Sequence, residues 1–491
     1  MNLLDKIRER RALVSVIGLG YAGLPLAVSF AGAGFRVLGI DTDQARVDHL
    51  NRGISPVQDV PSARLAAAVR EGRFQASSDY GALAAADTVT ICVPTPLGPG
   101  HLPDLSYVER AVDGLAPCVH RDQLIVLEST TYPGTTEELI QPRLEAGGLR
   151  AGQDFYLGFA PERIDPGATS SQGFTLATVP RLVAGATPRC RQHVEALYQT
   201  IVERVVPVSS LKTAEMAKLV ENAFRMVNIA FANEVALMCD VLGLDVWEVI
   251  DAAATKPYGF LAHYPGPGLG GHCIPVDPYY LAWKLKTLDY TARFIELAGE
   301  INRAMPAFVV SRVAGALERR GQTLRGARVL VLGVTYKRDV ADTRESPSLD
   351  VLALLIERGA CVSYHDPYVP SVAVRVRDRS PAVAGTPVGS RPVQPALDDA
   401  PPSIRGDGRS APAGRPASMA DAAIHADVGG VIHRLERAAL MEALAEADCV
   451  VIATDHTAYD WETIASCSRL IVDTRNALRH VRAPRAEIVK L

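Results

Sequence analysis

Along the first part of the chain, short apolar runs alternate with stretches of helical period. Leu13 to Ile17 is an apolar run of the length of a buried strand; it feeds a glycine turn at Gly18 and then a helix-like run through Phe30. Phe35 to Ile40, Thr88 to Val93, Leu124 to Leu127 and Phe155 to Phe159 read as further strands separated by helical patterns. This rhythm predicts a doubly wound parallel sheet over residues 1–205. From Thr213 to about Leu242 apolar residues fall at helical spacing on several faces, with no proline or glycine between them, which predicts one long central helix inside a helical segment over residues 206–305. A helix apolar on more than one side needs cover from neighbours or from a second copy of the chain, so a homodimer through this segment is expected. A second strand and helix pattern occupies residues 306–491: strands at Ala327 to Val334 and Cys361 to Tyr364, a helix at Ser348 to Arg358, and later strands at Asp448 to Ala453 and Arg469 to Val472. The expected fold class is therefore α/β, two Rossmann-like doubly wound parallel sheets joined by a long central helix. Residues 371–430, rich in Pro, Arg, Ser, Ala and Gly, bury too little apolar surface to offset their ordering entropy and are expected to form a disordered insertion.

Composition narrows the class. At 491 residues and 48% hydrophobic content the chain can fill several cores. A formal net charge of −4 argues against a general nucleic-acid binder. The eight cysteines show neither a CxxC pair nor zinc spacing, which suits a reducing cytoplasm. The charged N-terminus lacks a signal-peptide core, and no run approaches the roughly 20 apolar residues that cross a bilayer. A soluble, cytoplasmic protein is expected, without membrane or nucleic-acid partners.

The first glycine turn reads Gly18-Leu19-Gly20-Tyr21-Ala22-Gly23. GxGxxG alone is a weak signal, but here it lies between strand and helix, with Asp41 at the next strand's end. Gly18 permits the tight turn, Gly20 lets a pyrophosphate approach the backbone, and Gly23 lets helix and strand pack closely. Asp41 is placed to accept hydrogen bonds from an adenosine ribose and to repel a 2′-phosphate, which favours NAD over NADP; Arg46 softens that preference.

Gly270-Gly271-His272-Cys273-Ile274-Pro275-Val276-Asp277 puts a thiol between paired glycines and a carboxylate. A thiolate adds to an aldehyde, the thiohemiacetal can lose a hydride to become a thioester, and water then releases an acid. Most cysteines are inert core residues, a reading that suits Cys92, Cys239 and Cys449 in their apolar runs but not Cys273 among glycines and prolines. Lys218 and Asn222 lie one helical turn apart on one face, where an ammonium and an amide together can hold an oxyanion. His272 beside Cys273 raises the question of a metal, but no further ligands stand at metal spacing, so none is expected.

These residues, with Glu162 in Ala160-Pro161-Glu162-Arg163, resemble the nucleotide-sugar 6-dehydrogenases, the UDP-glucose/GDP-mannose dehydrogenase family. The resemblance covers nearly the whole chain outside the insertion. It includes Val93-Pro94-Thr95-Pro96, Glu128-Ser129-Thr130, the Lys218/Asn222 pair, the Gly-Gly-His-Cys loop, and Tyr336-Lys337 with Asp342-Thr343-Arg344-Glu345-Ser346. It implies an NAD-binding domain, a central dimerisation segment and a C-terminal domain that holds the nucleotide diphosphate. It further implies that Pro94, Thr95, Thr130 and Arg344 meet the NAD, and that Arg163, Gly268, Gly270, Gly271, Tyr336, Lys337 and Arg475 meet the substrate together with Glu162, Lys218 and Asn222. In this reading the C6 alcohol loses its proton to a water-assisted base with Glu162 in that vicinity, Thr130 counts among the catalytic residues, Cys273 attacks the aldehyde, Lys218 and Asn222 hold the adduct's oxygen, and Asp277 helps water hydrolyse the thioester. Two NAD are consumed per sugar.

The chain departs from the UDP-glucose branch at Pro166, where that branch has a second glutamate, and has no secure match for an arginine supplied by a partner subunit. Tyr132-Pro133-Gly134-Thr135-Thr136, Glu162 to Gly167, Lys256 to Phe260 and Tyr264 to Gly268 look most like UDP-N-acetylglucosamine 6-dehydrogenases, which makes UDP-N-acetyl-D-glucosamine the leading substrate. UDP-N-acetylmannosamine, UDP-glucose and GDP-mannose remain alternatives. Two other classes compete. Tyr280 and Lys284 have the Tyr-xxx-Lys spacing of short-chain dehydrogenases and sugar epimerases, but lie outside the first sheet, so Tyr280 and Trp283 are read as packing residues. A non-catalytic dinucleotide sensor would need the glycine loop without the thiol, lysine and carboxylates.

Overall fold

The structure, a computed structural model, describes residues 1–57, 59–163, 173–377, 430–482 and 484–491. Among these, the first sheet takes β1 (Leu13–Ile17), β2 (Arg36–Ile40), β3 (Phe74–Ser77), β4 (Thr88–Ile91), β5 (Leu124–Leu127), β6 (Tyr156–Phe159), β7 (Arg181–Gly185) and β8 (Val205–Pro207). Their order is β3-β2-β1-β4-β5-β6-β7-β8. The first six are parallel and reproduce the order of a dinucleotide-binding sheet, while β7 turns antiparallel to β6. β4, β5 and β6 are buried along their whole length, as strands covered by helices on both faces must be.

The second sheet joins β9 (Arg328–Leu332), β10 (Cys361–His365), β13 (Cys449–Ile452), β14 (Leu470–Asp473) and β15 (Glu487–Lys490) in the order β10-β9-β13-β14-β15, all parallel. A separate antiparallel hairpin pairs β11 (Ser371–Arg377) with β12 (Gly430–Glu436). This corrects the extent of the expected insertion. Val372, Val374 and Val376 alternate with polar residues and bury one face in the second core, so both ends of the stretch 371–430 are ordered strand. Residues 378–429 lie outside the described ones.

The central helix spans Leu211–Leu242. Ser210 caps it, accepting from the Thr213 N–H at 3.1 Å, and Gly243 ends it in the left-handed conformation at φ 68°. A second long helix, Arg293–Arg319, runs unbroken through the expected boundary at residue 305, although Pro306 stands inside it. Its packing changes there: Ile295 and Ala298 bury against the central helix's Leu219 and Met226, whereas Met305, Val309, Val310 and Val313 enter the core of the second sheet. Each such aliphatic side chain contributes about 1.5–3 kcal/mol on full burial, so this helix ties the two halves together. No helix among the described residues is long and apolar enough to cross a membrane.

Candidate active site

The glycine turn has the shape that its sequence requires. Gly18 has φ +89°, and a Cβ there would stand 2.4 Å from the Cys92 carbonyl oxygen. A Cβ on Gly23 would meet the Gly18 oxygen at 1.8 Å, so glycine alone lets the helix Gly23–Gly32 start this close to β1. Around Gly20 nothing lies within 4 Å of where a Cβ would be, which leaves the backbone open to a diphosphate. Asp41, at the end of β2, accepts from the Leu19 N–H at 2.9 Å, from the Asp43 N–H at 3.0 Å and from Arg46 Nη1 at 2.9 Å. A carboxylate offers about four acceptor positions, so capacity for a ribose hydroxyl remains beside the Arg46 bond.

The neighbouring loops are fastened at the same sheet edge. Ser129 Oγ accepts from the Val93 N–H at 2.9 Å and donates to the Val93 carbonyl at 2.8 Å, which fastens the loop of Pro94 and Thr95 to the end of β5. Tyr280 is fully buried, and its hydroxyl donates to the Pro96 carbonyl at 2.9 Å. Burial pushes that phenol far above its ordinary range. Lys284, the other half of the epimerase-like spacing, instead meets Glu138 at 2.6 Å. Tyr280 therefore docks the helix Asp277–Lys286 onto the dinucleotide side as a packing residue and does not form an acid–base pair with Lys284.

That helix begins with the candidate base. Asp277 is 2% exposed, and its Oδ2 accepts from Asn222 Nδ2 at 2.6 Å. Burial pushes its carboxyl up to about 6, against the opposing pull of the Lys218 charge and the Asn222 bond. Lys218 and Asn222 are both buried on one face of the central helix, where Asn222 bonds Asp277 and the Lys218 charge acts on the same carboxyl. The Asp277 N–H donates to the Cys273 carbonyl at 2.8 Å, which closes one turn between thiol and carboxylate. Cys273 is half-buried, unlike Cys92, Cys239 and Cys449, which are buried as expected. Burial, then the Arg344 charge, hold His272 down at about 4, so the imidazole is neutral near pH 7 and supplies no cation to Cys273.

The glycines before Cys273 let the loop press against the second sheet. A Cβ on Gly270 would meet Tyr336 Cβ at 2.5 Å, one on Gly271 would meet the Tyr336 ring at 2.8 Å, and the Gly271 N–H donates to the Arg344 carbonyl at 3.0 Å. Arg344 is held by Asp342 at 2.7 Å, and its guanidinium lies 4.8 Å from the ring centroid of Tyr21 in the dinucleotide turn. Arg344 thus reaches from the second sheet to the dinucleotide turn. Gly268 abuts Pro347, and Gly266 abuts Arg475, whose Nε donates to the Ala453 carbonyl at 3.0 Å. Burial, with Arg338 nearby, lowers Arg475 to about 10. Lys337 lies in the loop after β9, where Thr335 Oγ1 donates to its carbonyl at 2.8 Å.

Two of the implied substrate contacts are engaged elsewhere in the chain. The Arg163 guanidinium bonds Glu221 at 2.5 Å and the Pro180 carbonyl at 2.7 Å. Glu162 accepts from Arg181 at 3.1 Å and from the Arg163 N–H at 2.6 Å. Residues 164–172, including Pro166, lie outside the described ones. Sequence reasoning missed Arg181, a charge at the head of an otherwise apolar strand. It also missed the buried pair Asn233 and Asn302, bonded at 2.8 Å, through which Asn233 holds the Gly266 N–H at 2.9 Å.

Comparison with known proteins decides the family. Three profiles of the UDP-glucose/GDP-mannose dehydrogenase family match in order: its NAD binding domain over residues 12–202, its central domain over 212–304 and its UDP binding domain over 330–387. The chain belongs to this family. Curated relatives include a UDP-N-acetyl-D-mannosamine dehydrogenase of Pyrococcus horikoshii, 38% identical over 72% of this chain and 84% of the relative. A UDP-N-acetyl-D-glucosamine 6-dehydrogenase of Pseudomonas aeruginosa is 36% identical over 77% and 86%. Among solved structures, the UDP-D-ManNAc dehydrogenase of Pyrococcus horikoshii superposes with a TM-score of 0.77 at 32% identity, covering 97% of this chain and 98% of its own. The UDP-glucose dehydrogenase of Pyrobaculum islandicum gives 0.75 at 27%, covering 98% and 97%. The protein is thus a nucleotide-sugar dehydrogenase with an NAD-binding domain, and the open cradle at Gly20, with Asp41 beyond it, fits that cofactor.

Proposed function

We propose that this chain oxidises the C6 hydroxyl of a UDP-N-acetylhexosamine to a carboxylate, with Cys273 carrying the sugar through a thiohemiacetal and a thioester. NAD, when bound, accepts the hydride in each of the two oxidations. Glu162, with Thr130 nearby, receives the hydroxyl proton, directly or through water. Cys273 Sγ then bonds to the aldehyde carbon, and Lys218 and the second N–H of Asn222 stabilise the oxygen that becomes negative. After the second oxidation water displaces sulfur from the thioester, with Asp277 taking the water's proton and the thiol regaining one. The observation that carries this reading is the buried cluster of Lys218, Asn222 and Asp277, whose Asp277 follows a half-buried thiol by one turn. A carboxyl at about 6 is a base matched to neutral pH.

The match to a UDP binding domain supports uridine. The loop sequences favour UDP-N-acetyl-D-glucosamine, the substrate named for the Pseudomonas aeruginosa relative; the Pyrococcus horikoshii relative favours its mannosamine epimer as the second reading. Purified protein given NAD and a panel of UDP- and GDP-sugars should turn over an acetamido sugar fastest and release two NADH per acid formed. One NADH per sugar, with an aldehyde or epimer as product, would overturn the mechanism.

We also propose that two copies pair through the central helix. Val220, Phe224, Phe231, Met238 and Val241 stand exposed along it, an apolar stripe that a second chain would cover. Sedimentation at micromolar concentration should show a dimer, and a monomer there would remove the pairing.

A further inference from the structure

We propose that Arg181 and Glu128, buried behind Glu162, are positioning residues that aim the Glu162 carboxylate and set how readily it takes the substrate's proton. The proposal rests on the assignment of Glu162 above. Arg181 opens β7, which runs antiparallel to β6, so its side chain crosses the end of β6 where Glu162 follows. Its Nη2 donates to Glu162 Oε2 at 3.1 Å; its Nη1 donates to Glu128 Oε1 at 2.6 Å and to the Pro161 carbonyl at 2.8 Å. One guanidinium therefore holds both the carboxylate and the backbone just before it. Glu128 Oε2 is held in turn by the Tyr198 hydroxyl at 2.8 Å, from the helix Pro188–Tyr198, with the Cys92 thiol at 3.7 Å.

Among the described residues, Glu128 and Glu162 both draw on the Arg181 guanidinium, and both Arg181 and Glu128 are 2% exposed. Burial drives Glu128 up to about 7, with Arg181 opposing and Glu162 adding to the rise. Burial holds Cys92 and Tyr198 neutral, and beyond Glu162 the Arg163–Glu221 pair closes the other side. A buried ion pair of this kind contributes little net stability compared with an apolar substitute of the same volume. At the carboxyl edge of a dinucleotide-binding sheet, beside a candidate base, such a cluster is a tuning device. Each carboxylate competes for Arg181, so negative charge on Glu128 makes Glu162 the stronger base.

The test is Glu128→Gln, which keeps the shape and removes the charge, followed by single-turnover rates of the first hydride transfer across pH. Arg181 then serves Glu162 alone. The Glu128 charge is present only above about pH 7, so variant and parent should react alike near about pH 5–6 and part company as the pH rises through about 7, where a cation freed of its second partner favours the ionised carboxylate and weakens it as a base. The plateau rate above about pH 7 should fall several-fold while KM stays near the parent value. Tyr198→Phe weakens the ionised form of Glu128 and should push the divergence from the Glu128→Gln profile to higher pH; it decides the matter if Glu128→Gln does not fold. Folded variants that track the parent at every pH overturn the inference. Glu162→Gln separates the two levels: full first-step activity there removes the role of Glu162 itself, whereas lost activity there with an unmoved pH profile in the other variants removes only the positioning.

Discussion

Asp277→Asn should make the protein more stable and less active at once, and the size of the gain can be worked from the site. The Asp277 carboxyl rises from 3.8 to about 6 in the folded chain, with burial as the largest cause and Lys218 and Asn222 only partly compensating. Its folded value lies above its unfolded one, so the native state binds the proton more tightly, and stability falls as pH climbs from about 4 through about 6. A shift of about two units corresponds to about 3 kcal/mol, the cost of keeping this carboxylate ionised above about pH 7. That figure already contains the attraction of Lys218. Asparagine mimics the neutral form and can still present an oxygen to Asn222 Nδ2. The variant should therefore gain about 0.5 kcal/mol at pH 4, about 1.5 at pH 5 and about 3 above pH 7 relative to the parent. Denaturant unfolding of both proteins at several pH values, followed by fluorescence and ellipticity together to check for a single transition, measures the difference. In the same variant thioester hydrolysis should slow by about 10²- to 10⁴-fold. A difference in stability that does not change with pH, or a variant less stable than the parent at pH 8, would refute the assignment of Asp277 as a strained, buried base.

Lys218→Met should cost about 2.7–4 kcal/mol in the oxyanion-forming step. Because the Lys218 charge lowers Asp277, its removal should also move the acid limb of steady-state turnover to higher pH; a limb that stays put would separate the two residues. Tyr280→Phe should leave kcat within about twofold and lower stability by about 0.5–1.5 kcal/mol, the worth of its bond to Pro96. A loss of chemistry in that variant would reopen the epimerase-like reading of Tyr280 and Lys284.

What could be read in advance follows from what each element depends on. β1 and β5 match their expected limits residue for residue, and the central helix begins two residues before the expected Thr213, because continuous apolar runs and unbroken helical period are local signals. β7 was hidden by its leading Arg181, whose place in a core makes sense only with Glu128, 53 residues earlier in the chain. β15 is four residues of mixed polarity, Glu487 to Lys490, and exists as a strand because β14 pairs with it. The hairpin was lost because a composition argument averaged the alternating valines of β11 with the Pro- and Arg-rich stretch after it, and its partner β12 begins only where that stretch ends. At the site, residue types and spacing pointed to the thiol, the lysine, the amide and the carboxylates as candidates. They could not show that Asn222 would hold Asp277, or that Arg163 would turn to Glu221, since both are bonds between segments distant in sequence.

The most direct test of the mechanism is intact-peptide mass spectrometry of Asp277→Asn quenched during turnover with NAD and the favoured UDP-sugar. The peptide containing Cys273 should carry the added mass of the oxidised nucleotide sugar, as an acyl group lost on mild treatment with hydroxylamine. Acid product accumulating while that peptide stays unmodified would contradict the covalent route.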